Sequence, residues 1–195
     1  MARPRTFDEA DVVAAARDEF WSRGYAATSM DDLTTATSLG RGSLYGAFGD
    51  KHTLFLRALD GYCTAAIDEV RAELREPGLR AYDRLARHIR STAASVAADS
   101  RRGCLMARSA AELAGSDDEI ARTVERTLAA WRRELVDCIK AAQREGSIDP
   151  NENPQALATM LLAFLRGMEA LGKGGAKPAQ IKAAADEVLS LISVG

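Results

Sequence analysis

The sequence contains few of the residues that form disulfide frameworks or metal sites. Among its 195 residues are three cysteines, two histidines and five prolines. An odd number of widely spaced cysteines, with no Cys-x-x-Cys pair, argues against a disulfide framework and favours a reducing, cytoplasmic location. The two isolated histidines, His52 and His88, lie in no His-Glu-x-x-His motif. We therefore expect no metal site and no cofactor.

Long apolar runs are also missing. No stretch approaches the roughly 20 apolar residues that cross a bilayer, and the first residues lack the apolar core of a secretory signal. We therefore expect no membrane partner. What the chain has is 47% hydrophobic and 28% charged residues, with a formal net charge of −2. This composition is typical of a folded chain that forms one domain, or a small module joined to a larger one.

Apolar residues recur at helical spacing, and no segment alternates as a strand would. Glycine, proline and short polar stretches separate the periodic segments. The pattern predicts an all-α fold of about nine helices, at about 8–23, 30–36, 41–48, 51–76, 79–98, 104–114, 117–145, 154–171 and 178–193. A natural boundary lies near Asp50, because three short helices precede it and a larger helical body follows.

Residues 28–55 predict a helix-turn-helix, in which a turn at about 37–40 joins two short helices. In the later helix Leu44 and Phe48 are one turn apart and would face inward, together with Leu39. The opposite face carries Arg41, Gly42, Ser43, Tyr45 and Gly46. An exposed arginine and tyrosine beside two glycines suit a helix in a DNA major groove, where bare backbone permits close approach.

This segment resembles the DNA-binding module of TetR-family transcriptional regulators. The matching residues are Val12, Val13, Ala15, Ala16, Phe20, Gly24, Tyr25, Thr28, Ser29, Gly42, Ser43, Leu44, Tyr45, Phe48 and Lys51. The chain departs from the family pattern at Ser38, where glycine is usual, at Gly40, where a serine cap is usual, and at Gly46, where a polar residue is often found. The later helices agree with the family in length and number but carry no comparable motif.

The resemblance implies a helix-turn-helix DNA-binding domain over residues 1–50 and a helical ligand-sensing and dimerisation domain over residues 51–195. It implies a homodimeric transcriptional repressor that binds a palindromic operator of double-stranded DNA and responds to a small-molecule inducer of unknown identity. An enzyme is not expected. The competing interpretation is a non-catalytic helical ligand-binding or interaction dimer that no longer reads DNA, because Gly42 and Gly46 offer no side chains to bases.

The expected DNA contacts divide into base readers, phosphate contacts and a minor-groove arm. Arg41 is the expected guanine reader, with a phosphate contact as its alternative, and Ser43 could contact either. The resemblance gives Tyr45 a backbone contact. Other expected phosphate contacts are Thr28 and Ser29 at the start of the second helix and Lys51 at the start of the fourth. Arg3 and Arg5 would form the arm, or else a disordered tail.

The charged residues of the predicted DNA-binding module do not favour non-specific DNA binding. Residues 1–51 hold six basic residues and eight acidic ones, which gives a net charge of −2. The module therefore cannot attract nucleic acid by charge alone, and binding should depend on a few cations on one face. Four cations in each subunit of a dimer predict a slope of log affinity against log salt of about −7 at most.

The last two helices are apolar on a broad front and need partners on two sides. The resemblance implies that they form a four-helix dimer interface, with the monomer core as the alternative. The expected interface residues are Leu157, Leu161, Leu165, Met168, Val188, Leu191 and Ile192. An inducer pocket is expected in the body, and its candidate lining, each residue of which could equally be core, is Tyr62, Cys63, Tyr82, Leu85, Ile89, Leu105, Trp131, Leu135, Phe164 and Met168.

Cys104 is a candidate thiol sensor. It follows Arg101, Arg102 and Gly103 at a predicted helix start, where cations and the helix N-terminus both stabilise a thiolate. A Gly-Cys-Leu at this place also resembles TetR-type regulators that sense oxidants or electrophiles. The alternative is a small buried hydrophobic residue. Cys63 and Cys138 lie within long helices without such cationic neighbours, so we expect less of them.

Two glycine patterns partly match the motifs of nucleotide-binding enzymes, but neither match is complete. Residues 167–174 nearly match a phosphate-binding loop, but Gly174 stands where a Ser or Thr should bind magnesium, and no strand precedes the segment. Residues 40–46 are too long by one for the dinucleotide motif and again follow no strand. Neither pattern supports an enzyme.

Overall fold

The computed structural model describes residues 7–98 and 103–194. This part of the chain contains nine α-helices and no strand, which confirms the all-α prediction. The helices are α1 (Glu9–Arg23), α2 (Met30–Thr37), α3 (Arg41–Phe48), α4 (Lys51–Leu74), α5 (Ala81–Ala98), α6 (Leu105–Leu113), α7 (Asp118–Arg144), α8 (Pro154–Lys173) and α9 (Pro178–Ile192). None of these helices is long and apolar enough to cross a bilayer.

Local sequence explains where several helices begin and end. Ser29 and Asp32 form a capping box at the start of α2, in which each side chain accepts from the other residue's backbone N–H. The Asn153 side chain caps α8, whose first residue is Pro154. Gly24, with φ of 89°, ends α1. These are signals that a sequence displays directly, which is why the predicted helix bounds lie close to the observed ones.

The chain forms two compact units, so far as its residues are described. One comprises Met1–Thr64 and Cys104–Val124, and the other comprises Ala65–Gly103 and Glu125–Gly195. The boundaries fall within α4, within α7 and between residues 103 and 104, just before α6. The domain boundary expected near residue 50 stays a prediction.

Aromatic side chains organise the core of the first unit. Phe20 of α1 is fully buried and meets the ring of Phe55 edge-on, with centroids 5.0 Å apart. Tyr25 packs on Phe55 at 4.8 Å. Leu44 and Phe48 of α3 are buried as their spacing predicts, so α3 is fixed by one face and leaves the other to solvent.

The second unit has an apolar core, and this core contains four of the residues expected at a dimer interface. Leu161, Leu165 and Met168 expose 1% of their surface or less, and Val188 exposes 8%. A side chain without accessible surface in the single chain adds no area to a contact with another chain. Their burial favours the alternative of a monomer core for these four residues, and the expected dimer interface stays a prediction.

Candidate nucleic-acid interface

Helix α3 presents five of the expected DNA-contacting residues on one exposed surface. We call this surface the α3 face, and it consists of Arg41, Gly42, Ser43, Tyr45 and Gly46. Because Leu44 and Phe48 hold the opposite side of the helix in the core, the α3 face has a fixed orientation. A rigid helix with one exposed face is what insertion into a groove requires.

The two glycines of the α3 face are not needed by the fold. A Cβ atom added at Gly42 or Gly46 would meet no atom within 4 Å, and neither residue has a positive φ. Glycine inside a helix costs roughly 1 kcal/mol relative to alanine. The chain therefore keeps two destabilising residues at positions where its own packing would accept alanine, which points to close approach of something outside the chain.

Arg41 is held by a carboxylate of the neighbouring helix. Its Nε donates to Asp31 Oδ1 over 3.1 Å, and its Nη2 lies 2.8 Å from Asp31 Oδ2. Both side chains remain largely exposed, at 59% for Arg41 and 74% for Asp31. The pair thus fixes the direction of the guanidinium at the surface rather than burying it.

Two of the expected phosphate contacts, Thr28 before α2 and Lys51 at the start of α4, bind each other. Thr28 is buried, and its hydroxyl donates to the carbonyl of Gly24 over 2.7 Å, which argues against a phosphate contact through that hydroxyl. Lys51 Nζ donates to the carbonyl of Thr28 over 2.7 Å and lies 4.3 Å from the ring centroid of Tyr25. These contacts tie α4 to the start of α2.

Ser29 is exposed but serves first as a cap. Its Oγ donates to Asp32 Oδ2 over 2.6 Å and accepts from the backbone N–H of Asp32 over 3.1 Å. Side-chain and backbone hydrogen bonds from Ser29, with the charge of Arg23, hold the pKa of Asp32 below its usual value. A phosphate contact by Ser29 or Lys51 stays a prediction, and Arg3 and Arg5 lie outside the described residues.

The other described cations of the helix-turn-helix region are paired with acids. Arg17 pairs with Asp18 and Arg57 with Glu9, while Arg23 pairs with Glu19 and Asp32. Pairing of this kind lowers the attraction for phosphates at a distance. It agrees with the acidic balance of the module and favours recognition of a particular site over general attraction.

Sequence reasoning missed Arg108, which joins α6 to the end of α1. Its Nη1 donates to the carbonyls of Trp21 and Ser22, each over 3.2 Å, and its Nη2 donates to the carbonyl of Arg23 over 2.6 Å. A cation at a helix C-terminus satisfies carbonyls that lack intrahelical partners. Gly24 has a φ of 89°, which side chains rarely adopt, and a Cβ there would also displace Arg108, whose Nη2 would lie 2.5 Å away, so here the fold does need glycine.

Cys104 is the N-cap residue of α6 and is partly buried. The Tyr62 hydroxyl donates to its Sγ over 3.4 Å, and the Tyr62 ring meets the Trp21 ring edge-on at 4.8 Å. The other two cysteines are buried, and burial raises the pKa of Cys138 to about 11. Arg101 and Arg102 lie outside the described residues, so their expected effect on Cys104 stays a prediction.

The expected inducer-pocket residues divide between the two units. Tyr62, Cys63 and Leu105 belong to the first unit, and the other seven belong to the second. Of these seven, Leu85, Ile89, Trp131, Leu135 and Met168 are buried in the core, and Tyr82 and Phe164 pack against it. Each can still contact a ligand if the core opens around it, so the pocket stays a prediction.

A second exposed surface, on α8 and α9, was only partly expected. Its large apolar members are Met160, Leu171, Leu191 and Val194. On α8, Ala156 and Ala163 lie one turn from Met160, and Gly167 and Ala170 lie within one turn of Leu171; all four small residues are exposed. We call these eight residues the α8–α9 face. Of the expected interface residues, only Leu191 belongs to it, while Leu157 and Ile192 are partly buried against the core.

Comparisons with known proteins agree with this arrangement. Residues 81–188 match the family described as Tetracyclin repressor-like, C-terminal domain, and residues 12–58 match Bacterial regulatory proteins, tetR family. The chain is 29% identical over 190 residues to the HTH-type transcriptional repressor ComR of Escherichia coli (strain K12), covering 97% of this chain and 90% of ComR. It is 26% identical over 148 residues to the HTH-type transcriptional repressor DhaR of Mycobacterium sp. (strain GP1), covering 76% and 73% of the two chains.

Among solved structures, a cysteine mutant of the TetR family transcriptional regulator CifR superimposes with a TM-score of 0.84 at 26% identity. The match covers 98% of this chain and 100% of the CifR chain. That structure is a complex with a 26-bp double-strand operator DNA. The correspondence therefore includes both the helix-turn-helix and the helical body.

Proposed function

Because the chain belongs to the TetR family of transcriptional regulators, we propose that it is a homodimeric repressor of one palindromic operator. In this proposal the α3 face enters the major groove, and the helical body controls release. The protein would act in the cytoplasm, without a cofactor and without catalysing a reaction. ComR and DhaR are named as repressors, which supports this sign of regulation.

The α3 face is the observation that carries the proposal. It combines a forked cation, Arg41, with two hydrogen-bonding side chains, Ser43 and Tyr45, on a surface with two helix-interior glycines. Arginine can donate two hydrogen bonds to O6 and N7 of guanine, which distinguishes guanine from other bases. Gly42 and Gly46 would let the helix backbone come close to the DNA, because neither has a side chain that projects from the helix.

We propose that the dimer forms through the α8–α9 face. Met160 is 46% exposed, Leu171 59% and Leu191 74%, and apolar surface of this kind is covered in stable homodimers. The small residues of this face would let two helices approach closely. A two-fold dimer would set two α3 faces about 34–36 Å apart, the spacing of successive major grooves.

Release from DNA would follow a change of conformation in the body. A ligand, bound among the expected pocket residues, or a modification of Cys104 would favour a conformation with lower operator affinity. Within the first unit, Arg108 provides a physical connection, since it lies one turn after Cys104 and binds the end of α1. Treatment with N-ethylmaleimide tests the thiol route, because it should weaken operator binding by the wild type but not by Cys104→Ser.

Selection of bound sequences from a random duplex pool, at two salt concentrations, tests the proposal. We expect enrichment of one palindrome whose half-sites lie about one helical turn apart. Arg41→Ala should bind that palindrome much less tightly. If nothing is enriched at low salt, and Arg41→Ala behaves as the wild type does, the chain is instead a helical ligand-binding or interaction dimer.

For the dimer, sedimentation equilibrium of the wild type should give twice the mass of the chain. Leu191→Glu together with Met160→Glu should give a monomer that remains helical, because both positions are exposed in the single chain. A monomeric wild type would contradict the proposed interface.

A further inference from the structure

We propose that Asp31 is a positioning residue for base recognition, which holds Arg41 by one edge of its guanidinium so that the other edge faces a guanine. This inference rests on the proposed function, because it assumes that Arg41 reads a base. It adds a specificity-determining residue on α2, a helix that would not itself enter the groove.

The argument begins with the geometry of the guanidinium. A guanidinium has five N–H donors in a rigid planar fork, and two of its edges can each give a pair of parallel hydrogen bonds. Asp31 lies at the Nε–Nη2 edge, at 3.1 and 2.8 Å. The Nη1–Nη2 edge keeps its own pair of N–H donors. Guanine O6 and N7 need two parallel donors of this kind, so one guanidinium can bind Asp31 and guanine together.

The position of the pair supports recognition rather than stability. Asp31 is the second residue of α2, and Arg41 is the first residue of α3. Both side chains are mostly exposed, and exposed ion pairs contribute little to folding because water screens them. An unrestrained arginine samples many rotamers, and fixing them on binding opposes binding. Asp31 reduces that loss by restricting Arg41 before DNA arrives.

The carboxylate of Asp31 should also weaken DNA binding, and this loss of affinity bears on specificity. Its charge repels phosphates, so Asp31 lowers affinity for every DNA sequence alike. It compensates for this only at sites where Arg41 finds its guanine. Raising discrimination while lowering overall affinity is how interfaces reject wrong partners, and the acidic balance of the whole module has the same effect.

The test compares discrimination, not affinity alone. In the selected operator, the guanine is identified as the base pair whose substitution weakens the wild type but leaves Arg41→Ala unaffected. Dissociation constants are then measured for the operator, for that single-base variant and for a scrambled duplex. The wild type should discriminate against the variant by about 5- to 150-fold. Asp31→Asn should discriminate at least about threefold less, and it should bind the scrambled duplex more tightly.

A matched control separates the positioning of the Arg41 guanidinium from the effect of removing one negative charge. Glu119→Gln removes one negative charge from an exposed residue of α7 in the same unit, and it should leave discrimination unchanged. A double-mutant cycle adds a measurement that a merely structural role would not affect. Arg41→Lys cannot form the fork, so it should lose discrimination by itself, and adding Asp31→Asn should cause no further loss.

The outcomes are distinguishable. If Asp31→Asn discriminates as well as the wild type or better, the positioning role is wrong, and the ion pair only competes with DNA for Arg41. If the wild type binds its operator but Arg41→Ala keeps every base preference, the inference fails while operator binding stands. If the wild type selects no sequence, the proposed function fails, and the inference fails with it.

Discussion

Replacing Gly42 and Gly46 with alanine should raise stability and weaken operator binding. Both glycines lie within α3, both are exposed, and an added Cβ would touch no atom within 4 Å at either position. The free protein therefore has no steric reason to resist the change. Only a surface that comes close to the α3 face from outside would meet the new methyl groups.

The size of each effect follows from this geometry. Alanine is favoured over glycine by about 0.8–1.0 kcal/mol in a helix interior, so the double substitution should stabilise the chain by about 1–2 kcal/mol. For a chain of this length, each kcal/mol raises Tm by about 2–4 °C. If a methyl group displaces α3 so that one bidentate base contact is lost, operator binding weakens by about 1–3 kcal/mol in each half-site.

Thermal melting followed by circular dichroism measures the first effect, and fluorescence anisotropy with the selected operator measures the second. Gly61→Ala is a matched control, because Gly61 is an exposed glycine within α4 that also has open space around its Cβ position. This control should raise Tm and leave operator affinity unchanged.

Two results would refute the reasoning. A fall in Tm for the double variant would mean that the free fold needs the glycines after all. A higher Tm with unchanged operator affinity would mean that nothing approaches the α3 face closely, and the glycines would then lose their functional explanation.

Four further predictions concern single residues. Ser38 has φ of 55°, a region that favours glycine, so Ser38→Gly should raise the free energy of unfolding by about 0.5–1 kcal/mol in urea titrations; a decrease would contradict this. Arg108→Met should lower Tm and weaken operator binding, because three carbonyls at the end of α1 lose their donor, whereas Arg122→Met, an exposed control on α7, should change neither. Although burial opposes it, hydrogen bonds from His88 and Ser91 hold the pKa of Glu73 below its usual 4.5. The ionised carboxylate therefore stabilises the fold above pH 4.5, and this stabilisation is lost as the pH falls through the pKa of Glu73 in the folded protein. Glu73→Gln should thus lose less of its urea midpoint on acidification than the wild type does, and an equal loss would refute the assignment. Burial raises the pKa of Cys138 to about 11, so at about pH 8 a thiol reagent should modify Cys104 first, and Cys104→Ser should lack that fast phase.

The sequence predicts best the features that depend on neighbouring residues. The bounds of α3 were predicted to the residue, since Leu44 and Phe48 mark its buried face and Gly49 follows its end. The capping box at the start of α2 is likewise determined by a segment of only four residues, from Ser29 to Asp32. The all-α fold then follows from many such local signals that agree with one another.

Features that depend on distant residues were missed. Nothing near Arg108 indicates that it binds carbonyls some 85 residues away, because that contact exists only once α6 packs beside α1. Periodicity also does not say which partner covers an apolar helix. In α8 the most apolar stripe, which includes Leu161 and Leu165, packs in the core, whereas the less apolar stripe with Met160 and Leu171 remains exposed.

The most direct test of the account compares the affinity of the purified chain for its selected palindrome with that for a scrambled duplex of the same base composition. At about 0.15 M salt, we expect the palindrome to bind at least about 10³-fold more tightly, with two chains on each duplex. A duplex that keeps only one half-site should lose most of that advantage. Equal affinity for the palindrome and the scrambled duplex would contradict the account.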